Sequence, residues 1–311
     1  MTSWVSYRYQ DRDTIVHNLN PFVKLAWVSS VMLLTIIFDH PLYLLLLFLC
    51  TIPVIVLGGA WAEWKSLMRF MLWLSVAIVL INSLVMYHGS HVLLEFNFEI
   101  PTLGQPKITL EAIVYGLGMA LRMVAIVSAF VVLNFTIHPD DLLQAMIRLK
   151  LPYKSVLAAS MSLRFFPALA EDRERIADVL RTRGVEFDKG GARQRVSNSG
   201  AVLVALLSNS LDRVVQIAEA MEARAFGACP RRTGFREVAV AGWDRLLVAW
   251  GLAPLLLGTY FRCLGYGKYS YYPSLQTITP GPDGWLVLAA LAASLLLILP
   301  LAWLRKRWQL G

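Results

Sequence analysis

Two arginines, placed alike at the ends of two helical patterns, are the residues of this chain best suited to chemistry. Arg183 lies in LRTRGVEF (180–187) between Thr182 and Gly184, and Arg224 lies in MEARAFG (221–227) between Ala223 and Ala225. A guanidinium is a planar fork of donors that can grip a carboxylate or backbone carbonyls. A cation in a last helical turn also interacts with its own helix's carbonyls, worth typically about 0.3–1 kcal/mol, and this accounts for either arginine alone. Their recurrence some forty residues apart, each flanked by residues too small to obstruct an approaching surface, points outward to a partner.

The other candidates are weaker. His88 and His91 stand at i, i+3, but Gly89 between them favours a loop, and a metal site needs further ligands that are not evident. The one Gly-Lys pair, Gly267-Lys268, has Arg262 where a phosphate-binding loop needs its first glycine and Tyr269 where it needs Ser or Thr. The chain contains no G-x-S-x-G elbow and no H-E-x-x-H pair, nor two carboxylates within one apolar stretch. No catalytic, cofactor or metal site is therefore expected, and no nucleic-acid partner. Cys50, Cys229 and Cys263 show neither C-x-x-C spacing nor a metal-like cluster, and read as small apolar residues. Arg122, near the middle of an apolar stretch, costs at least about 2.5 kcal/mol if it faces lipid and must face helices or water. It reads as an arginine tied to backbone carbonyls. Asn82 and Asn134 are too few to make an ion path, which leaves a self-contained secondary transporter as the weaker alternative.

The elements that position these residues are mostly apolar. The 311 residues are 57% hydrophobic with a mean hydropathy of +0.56, which places the chain in a membrane. Spans of about 20 apolar residues are predicted at 22–38, 42–60, 67–87, 112–137, 246–261 and 285–304. The polar N-terminus lacks the basic and apolar regions of a removable signal. The formal charge of +8 is sorted by side: with the N-terminus inside, the short segments carry eight Lys and Arg in the cytoplasm against two outside. Both termini are thus expected in the cytoplasm. The outer loops are an acidic stretch at 88–111 with strand-like apolar residues, and a loop rich in Tyr, Gly and Pro at 265–284.

Between the fourth and fifth spans lies a cytoplasmic insert. HPDDLLQAMIR begins a short amphipathic helix that Pro152 ends, and a second helix runs from about 153 to 183, interrupted by Pro167. Gly184 stops it by taking positive φ. Ser197 or Asn198 caps a third helix with a broad apolar face, from Val202 to Met221. The fold class is all-α integral membrane protein, with about six transmembrane helices and the long helices inserted between spans 4 and 5. The domains are residues 1–137 (four spans), 138–236 (the insert) and 237–311 (two spans).

At this point the chain resembles the transmembrane T subunits of energy-coupling factor (ECF) transporters, from about residue 9 to 227. LNPFVKL (19–25) is similar to that family's Leu-Asp-Pro-x-x-Lys-Leu, with Asn20 for Asp, and HPDDLLQAMIRLKLPYK to its Pro-x-Asp-Leu segment. SLRFFPALAEDRERI (162–176) is similar to its Leu-Arg-Phe-x-Pro segment, and RTRG and EARAFG to its two Ala-Arg-Gly motifs. The resemblance implies a non-catalytic scaffold of an ABC-type importer in the prokaryotic cell (inner) membrane. Its partners would be two ABC ATPase subunits, phospholipid, and a membrane S component that binds a vitamin or transition-metal ion. Arg183 and Arg224 would enter grooves of the ATPases, with Thr182, Gly184, Ala223 and Ala225 as motif neighbours. The apolar helix faces would be the surface on which the S component slides. Thr182 replaces the first Ala and Ala225 the second Gly, leaving Gly227 as the expected helix stop. The tail from about residue 231 matches only loosely.

Overall fold

The computed structural model describes residues 14, 16–17, 19–85, 90–95, 107–148, 151–185, 187, 191–228, 242–277 and 279–310. His88, Gly89 and Cys229, named above, lie outside them, as do Arg8 and Arg12, two of the eight basic residues counted in the short cytoplasmic segments. Helices dominate: α1 (Pro21–Ile37), α2 (Pro41–Leu57), α3 (Trp61–Val85), α4 (Leu110–Thr136), α5 (Pro139–Arg148), α6 (Tyr153–Thr182), α7 (Ala192–Ala223), α8 (Gly242–Cys263), α9 (Pro282–Leu296) and α10 (Ile298–Leu310). Strands β1 (Val92–Glu95) and β2 (Lys107–Thr109) pair antiparallel within the stretch expected to be strand-like. The class is all-α membrane protein. The helices α3, α4, α8 and the stretch Pro282–Leu304 are long and apolar enough to cross a bilayer, and so by length and composition is Arg193–Ala223 of α7. At 17 residues each, α1 and α2 are about 25 Å long, short of a hydrocarbon core of about 30 Å.

The chain divides into two compact units, residues 1–142 with 238–311, and residues 143–237. In the first unit α4 packs on α1, α2 and α3, while α8 packs on α1, α9 and α10. Small residues set the approach of α1 to α8. A Cβ on Gly251 would stand 3.3 Å from the Trp27 amide nitrogen, and Ser30 Oγ donates to the Gly251 carbonyl at 2.7 Å. The core between them holds Val23, Val31, Leu34 and Phe38, none of them exposed.

The LNPFVKL stretch builds a joint. Pro21 opens α1 behind the Asn20 cap, whose Oδ1 accepts from the Phe22 amide at 3.2 Å while its Nδ2 donates to the buried Asp244 of α8 at 3.3 Å. An aspartate at position 20 would face that carboxylate with a second one, so the asparagine has a reason here. Buried Lys24 donates from Nζ to the carbonyls of His17, at 2.9 Å, and Thr136, at 2.6 Å. His17 Nε2 lies 3.1 Å from the Phe135 carbonyl. The last carbonyls of a helix have no partner within it and attract cations, so α4 ends clamped to the start of α1, three residues before α5 begins.

In the second unit α6 and α7 pack side by side as an antiparallel hairpin, about 45 and 48 Å long. Asp172 of α6 is paired with Arg213 of α7 at 2.9 Å and with Arg175 of its own helix at 3.5 Å. Two local expectations are corrected. Pro167 does not interrupt α6, which continues through it on an exposed face, since a proline removes one backbone bond without preventing the helix from running on either side. The helix α7 begins at Ala192, capped by extended Gly191 rather than by Ser197 or Asn198, which lie within its first turns. Helical bonds from Gln194 and Arg195 to the Gly191 carbonyl start it early.

Candidate functional site

The ends of α6 and α7 have one backbone geometry. Each C-cap is an arginine in the same conformation, Arg183 at φ −89°, ψ 10° and Arg224 at φ −89°, ψ 15°. The next residue turns left-handed: Gly184 at φ 86° and Ala225 at φ 54°. In the first end the Gly184 amide donates to Arg181 O and the Val185 amide to Leu180 O, both at 3.0 Å. In the second the Ala225 amide donates to Glu222 O at 2.8 Å and the Phe226 amide to Met221 O at 2.9 Å. Both are Schellman turns, with paired 5→2 and 6→1 bonds satisfying carbonyls that the helix leaves over. The expectation that Gly227 stops the second helix is thus corrected. Ala225 itself takes the glycine's conformation, and Gly227, at φ 95°, follows as a further left-handed residue.

Neighbouring side chains separate these arginines from ordinary surface ones. Arg181 is held by Asp178 at 2.7 Å and lies over the Phe187 ring at 5.6 Å. Arg183 and Arg224 are exposed, and neither makes an ion pair or side-chain hydrogen bond among the described residues. Thr182 turns its hydroxyl inward to Val179 O at 2.7 Å, so it leaves Arg183 unobstructed. A groove of about 580 Å³, lined by Asp178, Arg181 and Phe187 on one side and Ser199, Val202 and Leu206 on the other, places the end of α6 beside the start of α7. Arg224 closes the other end of α7, so the two arginines stand at opposite ends of the hairpin. Between them the apolar side chains of Phe166, Val204, Leu211, Val214 and Val215 are more than half exposed.

The sequence profile of the family described as cobalt transport protein, CbiQ, matches residues 12–234, more than two thirds of the chain. The chain belongs to the CbiQ family. Similar relatives carry the name energy-coupling factor transporter transmembrane protein EcfT. That of Acidaminococcus fermentans is 27% identical, over 82% of this chain and 95% of the relative. Those of Bacillus subtilis and Streptococcus equi are 28% and 29% identical, over 80% and 83% of this chain and 94% and 95% of theirs. The resemblance carried by the five motifs is borne out at the level of family.

The remaining candidates of this CbiQ-family chain have structural employment. Arg122, midway along α4, meets the corner between α1 and α2. Its Nε donates to Thr35 O at 3.1 Å, and its Nη2 donates to Phe38 O at 2.9 Å and to Asp39 at 3.0 Å. The reading of Arg122 as tied to backbone carbonyls holds. Its charge partner, Asp39, escaped the sequence reading although it was visible as an acid in FDHP, a short break between two apolar runs. Asp39 also pairs with Arg262, at the end of α8, at 2.6 Å, and its carbonyl accepts from Tyr271 at 2.8 Å. Burial pushes the Tyr271 hydroxyl up to about 12, so it stays protonated and donating at neutral pH. The Tyr-rich loop therefore folds onto the α1–α2 corner, with the Asp39 and His40 amides donating to Gly267 O at 3.2 Å. His91 spends its Nδ1 on buried Glu111 at 2.9 Å.

Proposed function

We propose that this chain is the energy-coupling membrane scaffold of an ECF-type importer, joining two ABC ATPase subunits to a membrane S component that carries a vitamin or transition-metal ion. The observation that carries the reading is the pair of congruent helix ends, each presenting an exposed, unengaged arginine from a rigid Schellman turn. Arg183 serves one ATPase and Arg224 the other, with Thr182 and Gly184, and Ala223 and Ala225, leaving room for the groove that receives each fork. Residues 138–236 are the cytoplasmic coupling region, and 1–137 with 237–311 the membrane region. The exposed apolar stripe of the hairpin is the surface on which the S component moves.

Length and composition alone would let α7 cross a bilayer, but its neighbour argues against it. The second half of α6, EDRERIADVLRTR, is charged, and Asp172 within it pairs with Arg213 of α7. Drawing α7 through hydrocarbon would bring that charged stretch along, at several kcal/mol per unneutralised ion. The clamp of Lys24 and His17 on the last carbonyls of α4 supplies a fixed point from which movement in the coupling region is passed to the bundle.

The test is the double variant Arg183→Ala/Arg224→Ala, assayed for co-purification of the ATPase subunits and for ATP-driven uptake. Both should be lost while the protein still inserts and melts like the wild type. Undiminished uptake in the double variant would overturn the coupling role. Gradient-driven transport by the purified chain alone in liposomes would instead establish a secondary transporter.

A further inference from the structure

The cluster around Asp39 is short of negative charge. Arg122 and Arg262 both pair with this one carboxylate, which leaves a formal excess of one positive charge among partly buried groups. The donors are short of acceptors as well. Arg122 uses its Nε and Nη2 on the Thr35 and Phe38 carbonyls and on Asp39, while its Nη1 donates, among the described residues, only to the thioether of Met119 at 3.6 Å. A thioether is a weak acceptor for a charged donor. Arg262 Nη1 is buried with no hydrogen-bond partner among the described residues. Leaving such donors unmet costs more than making the bond would gain, so the arrangement is incomplete as it stands.

A cavity of about 240 Å³ adjoins the cluster, lined by Asp39, Leu44, Tyr115, Met119, Arg122 and Tyr271. It is reachable from outside the fold, since the side chains of Arg122 and Asp39 are 25% and 39% exposed. Tyr115 brings a hydroxyl with no hydrogen bond among the described residues. A small void beside an underused guanidinium and a phenol, in a cluster with surplus positive charge, matches an oxyanion in charge, size and donor supply. We propose that this cavity binds a small oxyanion group, a carboxylate or a phosphate, at Arg122 Nη1. The group is either a free anion or the headgroup of an acidic phospholipid, because the cluster lies where α1 ends, α2 begins and α8 ends, at helix termini rather than within the packed layer.

The test uses the purified full chain in uncharged maltoside micelles. It is melted in chloride, acetate or phosphate at equal ionic strength, and separately after addition of phosphatidylglycerol. A soluble oxyanion or the lipid should raise the melting temperature by about 5 °C at a hundredfold excess over Kd. A rise with acetate or phosphate assigns the site to a free anion, and a rise with the lipid alone assigns it to a headgroup. Met119→Glu places a carboxylate on Arg122 Nη1, and this variant should melt as high without additive as the liganded wild type and respond to neither. If it does not fold, Met119→Gln gives the donor a neutral acceptor of similar size and should at least halve the response. A wild type indifferent to all three additives overturns the proposal, as does a response that either variant leaves intact.

Discussion

Arg122 and Arg262 share a carboxylate inside the first unit, whereas Arg183 and Arg224, in the second, make no ion pair or side-chain hydrogen bond among the described residues. In the bundle, every well-placed bond of the guanidinium fork is directed at a carbonyl or at Asp39, and the corner between α1 and α2 depends on it. On the hairpin the same side chain is held up by a turn whose backbone satisfies itself, leaving the fork unspent. A guanidinium engaged within its own chain is structure, and one held out by a rigid backbone with nothing to grip is available to something else. The comparison can be broken at either end.

The largest effect is expected at Asp39. Asp39→Ala removes the carboxylate from between two partly buried guanidiniums and leaves both uncompensated. Breaking such a cluster should cost on the order of 3 kcal/mol, read as a lower melting temperature and reduced yield. A melting point within a degree or two of the wild type would show that the bundle arginines are no more structural than those on the hairpin.

A smaller loss is expected from Asn20→Asp, which restores the residue of the resembling motif. It sets two carboxylates against each other where the amide now donates at 3.3 Å, and should cost about 1–2 kcal/mol at neutral pH. Asp244→Asn should recover most of that in the double variant, and an additive loss would refute the pairing.

The helix ends come next. Gly184 adopts its left-handed backbone without strain, but Ala225 at φ 54° bears a Cβ that makes that region unfavourable by roughly 1 kcal/mol. Gly184→Ala should speed hydrogen exchange at the Gly184 and Val185 amides by about fivefold, and Ala225→Gly should slow it at Ala225 and Phe226 by a similar factor. If Ala225→Gly changes nothing, the two turns are not held by the same geometry.

The same particulars show what could be read from the chain alone. Apolar length placed the helices of the bundle, because a run of about 20 such residues has few other uses. Gly184 announced its turn, since glycine is the usual residue for positive φ. Ala225 did not, for nothing local marks an alanine that will be forced left-handed by the bonds of its neighbours. The Asp39 cluster joins residues 83 and 223 positions apart, and the Asn20 contact spans 224. Such pairings follow from how the helices pack, and no local periodicity encodes them. Pro167 misled for the opposite reason, a local signal overridden by the helix on both sides of it.

The smallest effect on stability is expected where the effect on function is greatest. Arg183→Lys and Arg224→Lys keep the charge at each helix end and replace the fork with a single point of donation. Since neither arginine side chain makes an ion pair or hydrogen bond among the described residues, stability should move by less than about 0.5 kcal/mol. The interaction with the helix dipole is kept as well, because a lysine in the last turn supplies it equally. If the fork grips carbonyls or a carboxylate in a groove of an ATPase, each lysine variant should nevertheless lose ATP-driven uptake. Full uptake with lysine at both positions would mean that a point charge suffices, and the two hairpin arginines would then differ from the bundle pair in exposure only, not in how they use the guanidinium.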